Sequence, residues 1–112
     1  MLKGEIWRVR LPITSGHAQA GDRPALIVQD THLIRALPTA LVVPFTTAPG
    51  GAKFPGTLPV QPTPENGLSQ PSTALVFQLR AIDKRDFSYR MGTLEPDMVG
   101  RVLGLIDELL GR

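Results

Sequence analysis

The chain has 112 residues, of which 42% are apolar and 20% charged, so we expect one domain over residues 1–112 with one buried core. No apolar run approaches the roughly 18 residues that span a bilayer, and no apolar signal region opens the chain, which argues against a membrane protein and favours a cytoplasmic one. The absence of cysteine excludes disulfides and structural zinc spacing, so we expect no metal or cofactor, while a net charge of +2 permits a polyanionic partner.

The first half of the chain predicts three strands. Residues 5–11 alternate polar and apolar side chains, which is typical of a strand with one buried face. Residues 13–23 have the composition of an exposed loop, and the apolar run 24–29 predicts a buried strand. Residues 30–39 fit either one helical turn or a loop. A third strand is predicted over 40–45, where Pro44 implies an edge position or a bulge because proline cannot donate to the ladder.

The second half alternates short strands with turns and ends in a helix. Residues 47–56 carry Pro-Gly turn chemistry and predict a mobile loop of the kind that covers a site, and 62–71 predict a turn-rich connection. Strands are predicted over 57–61, 73–79 and 88–92, with mixed charges over 80–87. From Met98 to Leu110 apolar residues recur every three or four positions, with Pro96 and Asp97 in the first turn and Gly111 as the cap. The pattern is mainly β, a small bent sheet or partly open barrel carrying a C-terminal helix.

Two strand ends suggest a phosphate site. Arg23 stands at the entrance of the second strand, and Thr46 and Thr47 follow the third. Arginine is always charged and grips phosphate through two parallel hydrogen bonds, and a threonine at a strand end adds a fixed hydroxyl. Taken alone, Arg23 fits one solvated arginine among nine better than a phosphate ligand, and the rest of the chain reverses that balance.

The order of the motifs resembles the MazF/PemK family of toxin endoribonucleases over nearly the whole chain. The matching pieces are residues 4–7, the glycine-containing loop 16–24, the stretch 43–47, residues 67–68 ahead of Ser72, residues 78–80 and the terminal helix. The resemblance implies an SH3-like, partly open barrel that forms a two-fold homodimer. It also implies cleavage of single-stranded RNA at short sequences and inhibition by a MazE-like antitoxin with an acidic C-terminal segment that is disordered until it binds.

The resemblance assigns site residues position by position. It places the catalytic pair on Arg23 and Thr46, with Thr47 as the substitute if the register slips by one. The remaining substrate-binding candidates come from the loop before Arg23 and from the strand region near residue 78: His17, Gln19, Ser72, Gln78 and Arg80. Two positions depart from the family pattern, because Ala18 and Phe77 stand where many members have an acidic residue.

The chemistry can be reasoned from RNA itself. The ribose 2′-hydroxyl is a built-in nucleophile, so an enzyme needs to orient it and to stabilise the negative charge that develops on the phosphate. Arg23 keeps its proton at neutral pH and is therefore assigned to charge stabilisation and to donation toward the leaving oxygen. The acceptor of the 2′ proton stays open between Asp22, His17, Glu5 and water.

The same sequence also fits two other functions, and several of its residues fit purely structural roles. A CcdB-like toxin that poisons gyrase shares the fold, but that family ends in a tryptophan-containing tail, whereas here the only tryptophan is Trp7. A catalytically silent RNA-binding relative is the third candidate. His17 also fits an ordinary exposed loop residue, Trp7 a core or dimer-interface residue, and the cations near Arg80 a solvated surface interleaved with aspartates.

Overall fold

The structure is a computed structural model that describes residues 1–12 and 20–112. The described part of the chain forms seven strands, two helices and three short 3-10 turns. The strands are β1 (Glu5–Leu11), β2 (Gly21–Ile27), β3 (Thr39–Thr46), β4 (Thr57–Val60), β5 (Ser72–Leu75), β6 (Arg80–Asp83) and β7 (Phe87–Thr93). The helices are α1 (Thr31–Ala36) and α2 (Pro96–Leu109), and the 3-10 turns are Gly51–Lys53, Val76–Gln78 and Lys84–Asp86.

All strand pairs are antiparallel, in the order β4-β5-β3-β2-β1-β7, with β6 beside the first half of β3. The sheet is open, and α2 packs on it, so the predicted fold is confirmed. The terminal helix begins at Pro96 as predicted, and Gly111 follows its C-terminal cap. The first strand has the predicted bounds, and the ambiguous segment 30–39 contains α1, whose N-cap Asp30 accepts a hydrogen bond from the His32 amide at 2.8 Å.

The central strand β3 changes its neighbour halfway along. Residues 39–42 pair with β6, whereas residues 45–46 pair with β5. Pro44 lies between these two sets of pairs and opposite Ala25 of β2. Of the two positions predicted for Pro44, the edge strand was wrong, because β3 lies inside the sheet. Pro44 falls instead at an irregularity of the ladder, where the partner of β3 changes from β6 to β5.

Two predicted strands have different bounds. The continuous strand 73–79 was wrong, because β5 ends at Leu75 and a 3-10 turn over Val76–Gln78 carries the chain to β6, on the other section of β3. The turn and its C-cap Leu79 take the place of the last four predicted strand residues, and β6 falls in the segment of mixed charges that had no predicted element. The strand β2 starts at Gly21, three residues before the prediction, so Arg23 lies inside the strand and opposite Val9 of β1.

The core explains why β2 and β3 are apolar at consecutive positions. Leu26 belongs to a cluster under α2, while its neighbours Ala25 and Ile27 belong to a second cluster on the other side of the sheet. Because strand side chains alternate between faces, a strand that is buried on both faces loses its polar alternation. Trp7 packs at the margin of the second cluster and meets Phe87 edge to face, with ring centroids 6.1 Å apart.

Candidate active site

A cleft of about 210 Å³ opens where β2 and β3 separate. Arg23 and Thr46, the two residues that the sequence paired as catalytic, both line it. The remaining lining residues come from β1, β2, β7, the ends of β3 and β5, and the connection between β4 and β5: Arg8, Asp22, Pro24, Phe45, Thr47, Leu68, Ser69, Gln70, Ser72 and Met91. The fold therefore brings the predicted pair into one concave, polar site.

The strand register explains how the pair comes together. The last residues of β2 and β3 that pair at this end are Ala25 and Pro44, and two further steps of the same antiparallel register set Arg23 opposite Thr46. Successive residues of a strand turn their N–H and C=O groups to opposite neighbours, and the bond from the Val28 amide to the Leu41 carbonyl shows that the even-numbered residues of β2 face β3. Pro24 is therefore the residue that lacks the N–H needed to continue the hydrogen bonding toward β3. The strands stop pairing two residues before Arg23 and Thr46, and the cleft occupies the space between them.

The Arg23 guanidinium is fixed by a hydrogen bond through one of its three nitrogen atoms. Its Nε donates a hydrogen bond to the Ala20 carbonyl at 3.2 Å, and the side chain is half-buried. Within the described part of the chain, its Nη atoms donate to no protein acceptor. Guanidinium donors are rigidly planar, so fixing Nε orients the Nη donors that a phosphate would use.

Thr46 is the last residue of β3 and is only 6% exposed. Its Oγ1 accepts a hydrogen bond from the Ala48 amide at 3.1 Å, which leaves the hydroxyl proton available for donation. Gly51 crowds the methyl group on the other side, since a Cβ at Gly51 would lie 3.0 Å from Thr46 Cγ2. Thr47 also lines the cleft, but its side chain is exposed.

The third side of the cleft contains residues that the sequence interpretation missed. Arg8 of β1 lies opposite Pro24 and supplies a second guanidinium, and Ser69 and Gln70 belong to the connection predicted only as turn-rich. Ser72 lines the cleft as expected, yet its Oγ already donates to the Gln70 carbonyl at 2.9 Å. The alternation of β1 was the one available signal for Arg8, because it sets residue 8 on the same face as residue 6.

Gln78 and Arg80 lie beside the cleft, not in its lining. Gln78 lines an adjoining cavity of about 190 Å³ that shares Thr46 with the cleft and is bordered by the 47–56 loop. Arg80 Nη2 donates to Gln78 Oε1 at 3.2 Å, and burial lowers the pKa of the Arg80 guanidinium. Phe77, one of the two departures from the family pattern, faces Phe54 in this cavity with ring centroids 5.4 Å apart.

Three predicted residues, His17, Ala18 and Gln19, lie outside the described residues. Of the carboxylates considered as proton acceptors, Asp22 lines the cleft, whereas Glu5 is engaged elsewhere. Glu5 accepts hydrogen bonds from Trp7 Nε1 at 3.0 Å and from the Leu2 amide at 2.8 Å, and pairs with Arg90 at 2.9 Å. Burial alone would raise the pKa of its carboxyl, but these hydrogen bonds, with the charges of the N-terminus and Arg90, outweigh burial and lower it.

The described residues contain neither a cluster of metal-ligand side chains nor a helix that could span a membrane. Among residues 1–12 and 20–112, no three His, Cys, Asp or Glu side chains cluster as metal ligands would. In the same residues no helix has both the length and the apolar character that crossing a bilayer demands.

Comparison with known proteins identifies relatives along the whole chain. Residues 2–110 match the PemK-like, MazF-like toxin of type II toxin-antitoxin systems. Endoribonuclease PemK from Escherichia coli is 33% identical over 113 residues, covering 98% of this chain and 82% of that protein. A probable endoribonuclease MazF from Mycolicibacterium smegmatis is 36% identical over 78 residues, covering 69% and 70%.

Solved structures give the same result at the level of the fold. MazF from Deinococcus radiodurans superposes with a TM-score of 0.84 at 22% identity, covering 100% of this chain and 97% of that one. A mycobacterial endoribonuclease in complex with its cognate antitoxin superposes with a TM-score of 0.79 at 19% identity, covering 99% and 95%. The family predicted from the order of the motifs is thus confirmed: this chain belongs to the PemK-like, MazF-like toxins of type II toxin-antitoxin systems.

Proposed function

We propose that this chain forms a single-domain toxin endoribonuclease that cuts single-stranded RNA at short sequences without a metal ion. Relatives that carry the name endoribonuclease match most of its length, which supports the reaction class. The observation that carries the proposal is the convergence of Arg23 and Thr46 on one cleft, with a second cation, Arg8, in the same lining.

The reaction begins with attack of a ribose 2′-hydroxyl on the adjacent phosphorus. Negative charge then grows on the non-bridging oxygens, where the Arg23 Nη donors and the Thr46 hydroxyl are preoriented to bind it. Each such fixed donor contributes about 10² to 10³ in rate. The 5′-oxygen leaves with a proton donated by Arg23, which takes one back from water, so the products are a 2′,3′-cyclic phosphate and a 5′-hydroxyl. The 2′ proton passes to Asp22 or to water, since Asp22 is the carboxylate in the cleft lining.

The substrate-binding roles follow from where each residue lies. Thr47 and Ser72 line the cleft and contact the nucleotides at the cut, and Gln78 reaches the strand from the adjoining cavity. Arg80 acts through its hydrogen bond to Gln78. His17 and Gln19 keep the substrate-binding role that the family resemblance gives them.

The proposed function also implies a location, an inhibitory partner and a dimer. The protein acts in the cytoplasm, where its RNA substrate is, and is neutralised by a cognate antitoxin whose acidic segment competes with RNA for the cleft. A structural neighbour that was solved in complex with its cognate antitoxin supports the proposal of an antitoxin partner. We expect a homodimer, because β4 and β7 end the strand order and, among the described residues, pair with no further strand that would cover their outer edges.

The test is cleavage of a long RNA, with the fragment ends sequenced. We expect cleavage in excess EDTA, cyclic phosphate ends, and no cleavage where the cut nucleotide carries deoxyribose. Arg23→Ala and Thr46→Ala should each lose at least about two orders of magnitude, and Thr47→Ala much less. Arg101→Ala, an exposed arginine on α2 outside the cleft lining, is the matched control. Metal dependence or 5′-phosphate ends would refute the mechanism. If the wild type left the RNA intact, the protein would instead be a catalytically silent, RNA-binding relative of the toxins.

A further inference from the structure

We propose that Ser69 and Gln70 form a nucleobase subsite that reads one base beside the scissile phosphate. The inference rests on the proposed function, because it assigns a base-reading role within the same cleft. It starts from the observation that this neutral pair lines the cleft together with Arg23 and Thr46.

The connection that carries the pair, the 61–71 loop, is built around one buried side chain. Asn66 is fully buried, and its Oδ1 accepts hydrogen bonds from the amides of Thr63 and Leu68, each at 3.0 Å. Its Nδ2 donates to the Gln61 carbonyl at 2.9 Å and to Glu95 Oε1 at 3.4 Å. The loop is thereby closed on itself and attached to the start of α2.

Packing fixes the loop on both sides of the proposed subsite. Gly67 has a φ of 71°, and a Cβ there would collide with the Met91 carbonyl, so the loop lies directly against β7. Leu68 is buried in the core cluster under α2. On the other side, Ser72 Oγ holds the Gln70 carbonyl at 2.9 Å. The exposed side chains of Ser69 and Gln70 therefore project from a backbone whose position is set, as specific recognition requires.

The residues that line the cleft fall into two chemical groups, one suited to binding phosphate and one suited to binding a base. The cations Arg8 and Arg23 come from β1 and β2 and suit the phosphate, whereas the loop supplies an uncharged hydroxyl and amide. A glutamine amide offers one acceptor and a pair of donors, which match an edge that presents a donor beside an acceptor. Adenine presents such a pair on both its Watson–Crick and its Hoogsteen edges, whereas the other three bases present it only on the Watson–Crick edge. Bases of single-stranded RNA are unpaired, so their edges are open to such contacts.

The experiment is cleavage of a randomised single-stranded RNA pool, with the base at each position around the cut counted for wild type, Gln70→Ala and Gln70→Glu. Wild type should prefer adenine at one position next to the cut by about tenfold. Gln70→Ala should flatten that position alone. Gln70→Glu, which has acceptors only, should turn the preference toward guanine, whose open Watson–Crick edge presents two donors side by side, N1–H and the exocyclic amine. Gln61→Glu is the matched control, because Gln61 is an exposed glutamine of the same loop outside the cleft lining.

Binding gives a readout that is independent of cleavage. Oligonucleotides with deoxyribose at the cut and each base in turn at the read position should show the same order of affinity, and Gln70→Ala should remove it. Unchanged base counts in both Gln70 variants, or an equal loss at all sequences, would overturn the subsite. If the wild type cleaves and depends on Arg23 while the Gln70 variants keep its base counts, the subsite alone fails. If the wild type neither cleaves nor binds RNA, the proposed function fails first.

Discussion

Replacing Asn66 by alanine should destabilise the protein far more than its place in a surface connection suggests. The side chain is fully buried and makes four hydrogen bonds, two as acceptor and two as donor. Alanine removes all four at once. It leaves the amides of Thr63 and Leu68 and the carbonyl of Gln61 without the partner that they have in the wild type.

The magnitude follows from these three backbone groups. Each polar group left unsatisfied in the interior costs about 1 to 3 kcal/mol, and water that enters the vacated space moves the cost toward the lower end. The sum is about 3 to 5 kcal/mol, against a total stability of about 5 to 15 kcal/mol for an ordinary domain. For a domain of this size, about 4 °C of melting temperature per kcal/mol gives a fall of roughly 12 to 20 °C.

The assay is thermal and urea unfolding followed by the fluorescence of Trp7, the single tryptophan, which packs at the margin of the core. Gln61→Ala is the control, because only the backbone carbonyl of Gln61 takes part in the network, and its loss should stay within about 0.5 kcal/mol. If Asn66→Ala were as stable as this control, the four hydrogen bonds would not be what holds the loop, and the rigid position argued for Gln70 would lose its basis.

Three further outcomes are expected. Because the pKa of Glu5 is lowered by folding, the stability that its charge contributes is present above its unfolded pKa of 4.5 and is lost as the pH falls through the folded value. Glu5→Gln should therefore be less stable than wild type in urea at about pH 7, and the difference in the free energy of unfolding should narrow as the pH falls below 4.5; a constant difference would contradict the assignment. Gly51→Ala should press its Cβ on Thr46 and reduce cleavage at least about tenfold while the protein stays folded, so unchanged turnover would show that the hydroxyl tolerates displacement. RNA binding should weaken with salt at a log-log slope of about 0.7 per phosphate contacted, and a flat response would argue against RNA as the ligand.

The periodicity of apolar residues along the sequence predicted the elements that bury only one face. The alternation of residues 5–11 gave β1, and the three- and four-residue spacing of apolar positions gave α2, because each buries a single face. The apolar run of β2 was recognised as buried, although its start was missed, since the polar residues from Gly21 to Arg23 look like loop and enter the strand only by pairing with β1.

The remaining strand bounds depend on pairing between strands that lie far apart in the sequence. Residues 73–79 have the composition of one strand, but β3 offers two different edge sections, and the chain must turn at Val76–Gln78 to reach the second one. The same change of neighbour makes room for Pro44 inside the sheet. No window of sequence contains this information, because it depends on which strand lies beside β3 at each position.

The candidate site divides in the same way. Arg23 and Thr46 stand out by residue type and by resemblance to the family, and the structure places them in one cleft. Arg8 was missed because its position opposite Pro24 depends on the register of β1 and β2 across a long connection. Gln70 was missed because it reaches the cleft only through the folding of the 61–71 loop around a buried asparagine.

Pro24 links the stability of the sheet to the opening of the site. A ladder between β2 and β3 that continued past Ala25 and Pro44 would bring the strands to within hydrogen-bonding distance and fill the place where a phosphate has to lie. Proline at 24 removes the N–H group that would face Phe45 of β3 in such a continuation, whereas the N–H that Pro44 lacks would face away from β2. Pro24 still pairs with β1 and Pro44 with β2, so the strands remain fixed up to the point of separation. Arg23 and Thr46 are therefore carried on ordered strand ends yet kept apart, and an enzyme that works by preoriented donors needs both conditions at once.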